Sequence, residues 1–180
     1  IGSIPFGLVG KVFFKIKDPR TFGSKNIGAT NILRSGNKKA AAFTLFFDMF
    51  KGFLAVLIAS YIEKDLVYVA ILSVVFGHIF PIYLLFKGGK GVATYVGILF
   101  SINILLGIVF IIVWGIIFLI FKFSSLSSII GSLSIPVYLI VTGQMNDTVF
   151  FGIMFILIFF THRENIKRLK NKDETKTKIY

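Results

Sequence analysis

The sequence predicts an all-α, polytopic helical membrane protein with seven transmembrane helices, one of them short, on three observations. The 180 residues are 56% hydrophobic and only 16% charged, and the apolar residues form runs that suit a hydrocarbon core of about 30 Å. The basic residues lie mainly at the ends of those runs. Glycine, serine and asparagine gather in a few polar islands between them. Residues 1 to 180 are therefore expected to form a single integral membrane domain.

Apolar runs cover about residues 1 to 16, 40 to 62, 66 to 86, 91 to 121, 125 to 143 and 147 to 161. Eighteen of the twenty Lys and Arg fall in four segments: eight from Lys11 to Lys39, Lys87 with Lys90, Lys122, and seven from Arg163 to Lys178. The turns at Glu63 to Asp65 and Gly143 to Asp147 hold one base and three acids. If all four basic segments are cytosolic, as the positive-inside rule asks, the run from Gly91 to Phe121 must be two helices. A break near Ser101 to Asn103 leaves a short helix of roughly 16 Å. The N-terminus is then outside and the C-terminus cytosolic; the alternative is one long helix with Lys122 outside. After Ile166, the basic tail is expected to lie on anionic headgroups and fray toward its end.

A net charge of +12 raises nucleic acid as a partner, but the bases lack an amphipathic, aromatic-studded soluble face, so none is expected. Topology explains them better. With no cysteine, two histidines and eight acids, thiolate sites are excluded and a carboxylate-bound metal cluster is not expected. The chain opens at Ile1 rather than Met, so its first run is expected to be cut at the start, and no cleavage pattern of a removable signal is present.

The island Phe86 to Thr94, F-K-G-G-K-G-V-A-T, carries three glycines and two lysines. Lys87, Gly88, Gly89, Lys90 and Gly91 either cradle a phosphate, with inward amides and the start of a helix near Gly91, or form an ordinary cytosolic turn. The island F-G-S-K-N-I-G-A-T-N-I-L-R, from Phe22 to Arg34, is either a capped surface turn or a substrate site. In the second reading Arg34 grips phosphate as a planar fork and Ser24 and Asn26 hold substrate oxygens; Thr30 or Asn31 caps the segment after it. In T-H-R-E-N-I-K-R-L, His162 and Asn165 are three apart and on a helix share a face. His162 is either a dipole-compensating cap or a functional imidazole, and Arg163 and Lys167 are either anchors or ligands. Asp48 and Lys51, i and i+3 within an apolar run, read as a buried ion pair. His78 either bonds a carbonyl freed by Pro81 or meets substrate. Ser125, Ser127 and Ser128 either cap the next helix or bind phosphate or hydroxyl groups.

In order, G-S-I-P-F-G, G-S-K-N-I-G-A-T-N-I-L-R, G-H-I-F-P, F-K-G-G-K-G-V-A-T and H-R-E-N-I-K-R-L cover most of the chain. The set closely resembles the bacterial acyl-phosphate:glycerol-3-phosphate acyltransferases. One departure is Lys25, where glycine is more usual. The resemblance implies seven helices with the islands gathered at the cytosolic face of a bacterial plasma membrane. It also implies transfer of a fatty acyl group from acyl phosphate to the 1-hydroxyl of sn-glycerol 3-phosphate, giving lysophosphatidate and phosphate, the first step of phospholipid synthesis. No cofactor or metal is implied; the expected partners are the two substrates and membrane lipid.

On that reading His162, Asn165 and Ser24 are the catalytic set. Arg34, Asn26, Thr30, Asn31, Lys87, Gly88, Gly89, Lys90, Gly91 and Ser128 bind substrate or phosphate. Such chemistry needs two anion sites, a lipid-open slot and a proton acceptor. That acceptor is either His162, an imidazole being the side chain able to accept a proton near neutrality, or a substrate phosphate. A second function class, a membrane transporter of a phosphorylated metabolite, predicts polarity through the bilayer middle and matching halves. Here polarity concentrates at one face. A metal-dependent headgroup transferase would need clustered carboxylates that the chain lacks.

Overall fold

The computed structural model of the chain describes residues 1–177; Lys178, one of the tail's bases, lies outside them. The regular structure of the described residues is helical, and they separate into two compact units, Ile1–Asn103 and one beginning at Ile104.

The first unit holds α1 (Phe6–Phe13), α2 (Ala29–Leu33), α3 (Lys38–Ile62), α4 (Val67–Ile79) and α5 (Val92–Ile102). α1 is shorter than its apolar run predicts. Its eight residues reach only about 12 Å, because Pro5 stands at its N-terminal boundary and Lys15, at φ 51°, turns the chain after Phe14. α3 starts where Asn37 Oδ1 accepts the Ala40 N–H at 2.9 Å, and its 25 residues extend about 37 Å, enough to cross a bilayer.

The buried face of α3 includes Ala40, Thr44, Asp48, Lys51, Gly52, Val56 and Ala59, spaced mostly three or four apart as one helix face requires. α3 packs closely on α5 at two glycines. A Cβ on Gly52 would collide with the Thr94 carbonyl, and one on Gly97 with the Met49 carbonyl. Small residues let backbones approach in this way. Asp48 and Lys51 form the expected buried pair, Nζ to Oδ1 at 2.7 Å, and Lys51 Nζ also donates to the Ile4 carbonyl at 2.9 Å.

α4 ends ahead of Pro81, which has no N–H to continue a helix and disfavours helical backbone at Phe80. Leu85 and Phe86, at φ 50° and 62°, reverse the chain into the glycine-rich island. α5 has 11 residues and stops at Asn103, which is extended at φ −155° and ψ 124°. The break expected near Ser101 to Asn103 is present.

The second unit holds α6 (Ile104–Phe121), α7 (Ser124–Val141), α8 (Met145–Thr161) and α9 (Arg163–Lys170). α6 has no charged residue and most of its side chains lie outside the core, as a lipid-facing helix requires. α7 packs on it where Gly131 meets the Phe110 ring and where Trp114 Nε1 donates to Ser128 Oγ at 3.1 Å.

Four helical stretches are long and apolar enough to cross a membrane: Lys38–Ile62, Lys64–Leu84, Ile104–Phe121 and Ser124–Val141. The second reaches that length only with the 3-10 turns at both ends of α4. α8 and α9, bent by 61°, make a fifth if taken as one span.

Candidate functional site

Asn31 organises the first island. It is 2% exposed, and its Nδ2 donates to the carbonyls of Pro19 (2.7 Å), Asn26 (2.8 Å) and Phe22 (3.2 Å), while Oδ1 accepts the Ser24 N–H at 2.9 Å. Two amide hydrogens facing three carbonyls leave none over. Asn31, expected as a substrate ligand, is placed here as the residue that builds the loop.

Asn26 Oδ1 accepts the Gly28 N–H at 2.8 Å, a local turn. Gly28 begins α2 with no side-chain cap, so neither Thr30 nor Asn31 caps it; Thr30 lies inside the helix. Lys25 has φ 58°, a left-handed conformation that glycine adopts at less cost, in keeping with the expectation of glycine there. Asp18 fixes the approach to the island. Arg20 donates to it through Nε (3.0 Å) and Nη2 (2.7 Å), and Lys11 Nζ at 3.0 Å. Those bonds, Arg20 first, hold the Asp18 carboxyl well below the usual carboxylate range.

Ser24 and Arg34 remain as side chains the loop presents. Both are half-buried. Arg34 lines an open hollow of about 940 Å³ with Lys15, Lys17, Lys38 and Lys39. Five cations around one concavity favour an anionic occupant.

In the second island the amides are placed otherwise than expected. Gly88 N–H donates to the Ile79 carbonyl and Gly89 N–H to the His78 carbonyl, both at 3.0 Å. These carbonyls belong to the last turn of α4, which has no helical donors left for them. The Gly88 and Gly89 amides, expected to face a phosphate, thus cap the end of α4 in this structure. Glycine is needed at both positions for space: a Cβ on Gly88 would strike the His78 carbonyl and one on Gly89 the His78 ring. Gly91, at φ 86°, is the N-cap of α5, so the Val92, Ala93 and Thr94 amides stand at a helix N-terminus beside Lys90. Lys87 is exposed, and its own N–H closes a turn onto Leu84.

The third island lies in the second unit. His162 is the joint between α8 and α9, and Asn165 lies in the first turn of α9; the two do not share one straight helix face, but both are 3% exposed. His162 Nδ1 is 2.8 Å from the Ile158 carbonyl. A carbonyl only accepts, so Nδ1 carries a proton and the lone pair of the neutral ring is on Nε2. One ring nitrogen caps α8, and the other has the form a general base needs. Asn165 Nδ2 donates to Glu174 Oε1 at 2.7 Å.

Glu174, not singled out from the sequence, also accepts Ser125 Oγ at 2.9 Å and Arg168 Nε at 2.7 Å. Its side chain is 4% exposed. Burial alone would raise its carboxyl, but the bonds from Arg168, Asn165 and Ser125 outweigh that and hold it below its ordinary value. The Thr177 N–H donates to the Lys122 carbonyl at 2.9 Å. The described part of the tail is therefore docked on its own unit rather than frayed.

Ser128 is engaged as well: Oγ donates to the Ser124 carbonyl at 2.8 Å and accepts from Trp114. Ser128, expected to bind phosphate, is placed here between α6 and its own preceding turn. Ser127 likewise bonds back one turn, to Phe123; neither caps α7. Arg163 lies over the Phe160 ring at 4.7 Å, as an interfacial anchor does.

Comparison with known proteins gives this geometry its context. The fold matches the crystal structure of PlsY (YgiH), an integral membrane glycerol 3-phosphate acyltransferase, in its glycerol 3-phosphate form, with a TM-score of 0.89, 34% identity, and coverage of 98% of this chain and 92% of that one. The lysophosphatidic acid form matches with a TM-score of 0.88 and 37% identity over 97% of this chain and 89% of that one. The helices and islands thus define an integral membrane acyltransferase of bacterial type. The glycerol-3-phosphate acyltransferase family model matches residues 1–172. A glycerol-3-phosphate acyltransferase of Pelagibacter ubique (strain HTCC1062) is 61% identical over 180 residues, 100% of this chain and 94% of that protein. One of Brucella anthropi is 46% identical over 176 residues, 98% of this chain and 88% of that protein. The chain belongs to the glycerol-3-phosphate acyltransferase family.

Proposed function

We propose that the protein transfers a fatty acyl group from acyl phosphate to the 1-hydroxyl of sn-glycerol 3-phosphate. The hydroxyl oxygen bonds to the acyl carbonyl carbon, the carbon–oxygen bond to phosphate breaks, and lysophosphatidate and inorganic phosphate leave. The observation that carries this reading is the state of His162: Nδ1 is committed to the Ile158 carbonyl, so the neutral ring can accept a proton only at Nε2. The hydroxyl proton goes either there or to an oxygen of the acyl phosphate, whose mixed anhydride already contains a good leaving group. In both cases Asn165, held by Glu174, orients substrate.

Arg34, Ser24 and Asn26 serve one substrate's polar groups, and Lys87, Lys90 and the N-terminus of α5 from Gly91 serve a phosphate. Thr30 supports the first set from α2. Both units act as one acyltransferase domain, with no metal or cofactor taking part. α1 and α3 to α8 are its seven membrane helices, with the N-terminus outside and the islands on the cytosolic side of the bacterial plasma membrane. The placement of the bases and the break at Asn103 support that orientation.

The test is to incubate purified protein with acyl phosphate and glycerol 3-phosphate, without CoA or added metal. Lysophosphatidate should form, and acyl-CoA should not replace acyl phosphate. Transfer from acyl-CoA alone, or a requirement for Mg²⁺, would refute the reading.

A further inference from the structure

A buried polar cluster lies against the glycine-rich island. Asp48 of α3 is 3% exposed, Lys51 2% and His78 of α4 6%. Lys51 pairs with Asp48 at 2.7 Å, and His78 Nδ1 is 3.6 Å from the same Asp48 oxygen, adjacent though longer than a hydrogen bond. Such groups are costly inside a membrane protein and tend to mark function there. A pair serving stability alone would be complete with Asp48 and Lys51. Here a third member extends from the pair toward the island.

His78 contacts the island in two ways. Its carbonyl accepts the Gly89 N–H at 3.0 Å, and its ring fills the space where a side chain on residue 89 would stand. All three atoms that a Gly89 Cβ would first meet belong to that ring: Nε2, Cε1 and Cδ2. The next residue is Lys90. On the other side, Lys51 Nζ donates to the Ile4 carbonyl, so a continuous chain of contacts runs from the N-terminal segment through Lys51, Asp48 and His78 to Gly89.

We propose that His78, oriented by Asp48, is a positioning residue for the reaction: its ring sets the height and direction of the Gly89–Lys90 segment against the start of α5. The inference rests on the reading that this segment serves a phosphate substrate. His78 acts through the segment and need not touch substrate. A displaced binding group weakens binding far more than its distance from the chemistry suggests.

The experiment compares wild type with His78→Ala, Gly89→Ala and the double variant, reading thermal unfolding in detergent and, separately, KM for each substrate and kcat. Gly89→Ala should lower the unfolding temperature and raise KM for one phosphate substrate by about tenfold or more. His78→Ala should raise the same KM by a similar factor. In the double variant the vacated ring space accepts the new methyl group, so it should be better than Gly89→Ala alone in both readouts. His78→Asn keeps a donor toward Asp48 and should fall between wild type and His78→Ala; it also serves if His78→Ala does not fold. Losses in the double variant that simply multiply, or an unchanged KM for both substrates in His78→Ala or His78→Asn, would overturn the proposal. The unfolding readout does not require turnover, so recovered stability in proteins that never transfer an acyl group would count against the proposed reaction and not against the contact.

Discussion

Asn165 and Glu174 are joined by a 2.7 Å hydrogen bond from Nδ2 to Oε1, so the amide of the third island is held by a carboxylate nine residues further along the chain. The same carboxylate receives Ser125 and Arg168. Truncating it would leave two buried donors, Asn165 and Ser125, and the partly exposed Arg168 without their acceptor. Glu174→Ala should cost roughly 2 kcal/mol of stability, in the range found when buried donors lose their acceptor, and should lower kcat as Asn165 loses its orientation. The sign with pH is set by the lowered carboxyl. Glu174 contributes fully above its ordinary value of 4.5 and loses that contribution as pH falls through its lower folded value. Thermal unfolding of Glu174→Gln should lack this part of the acid destabilisation seen in wild type.

Asn31 should tolerate aspartate worse than alanine. Its Nδ2 faces three carbonyls, so Asn31→Asp would set a buried carboxylate against acceptors, whereas alanine only leaves them unpaired. We expect a loss of about 2 kcal/mol for Asn31→Ala and more for Asn31→Asp, read by thermal unfolding in detergent. Equal stability of the two variants would remove the loop-building role.

Gly97→Ala should destabilise α3 on α5. The atom its Cβ meets is the Met49 carbonyl, which is backbone and cannot swing aside as a side chain would. A cost of about 2 kcal/mol is expected, against little change for Gly152→Ala, where a Cβ meets nothing within 4 Å. Similar unfolding temperatures for the two variants would contradict the close packing.

Local chemistry made several features legible in advance. Asn103 interrupts an otherwise apolar run, and the helix breaks there; Asp48 and Lys51 can be buried only as partners. Lys25 stands where glycine is expected, and its φ of 58° is the backbone that glycine adopts at least cost. What the sequence hid were choices among equivalent partners. Nothing in G-G-K-G says whether an amide faces a ligand or the end of α4, and Asn31 and Asn26 offer the same functional group but only one is saturated. Glu174 sits in the charged string N-K-D-E-T-K and reads as a solvated residue. Its contact with Ser125 spans 49 positions and leaves no local pattern. The one available hint was that Asn165 and Arg168, both donors three apart on α9, can reach one acceptor.

Single cysteines at Ser101 and Lys122 should label from opposite sides of the membrane: position 101 from outside and position 122 from the cytosol. The break at Asn103 allows the chain to turn between them. Labelling of both from one side would contradict the seven-helix orientation.

The most direct measurement is lysophosphatidate formation from acyl phosphate and glycerol 3-phosphate by purified wild type and His162→Ala, matched for thermal unfolding. Wild type should turn over, and His162→Ala should lose about a hundredfold or more, as removal of a proton-transfer group does. If Nε2 takes the proton, the acid limb of the wild-type pH–rate profile should be absent from the variant; a limb that survives would assign the proton to the substrate phosphate, with His162 positioning it. Near wild-type turnover in folded His162→Ala would contradict a role for the third island in the reaction.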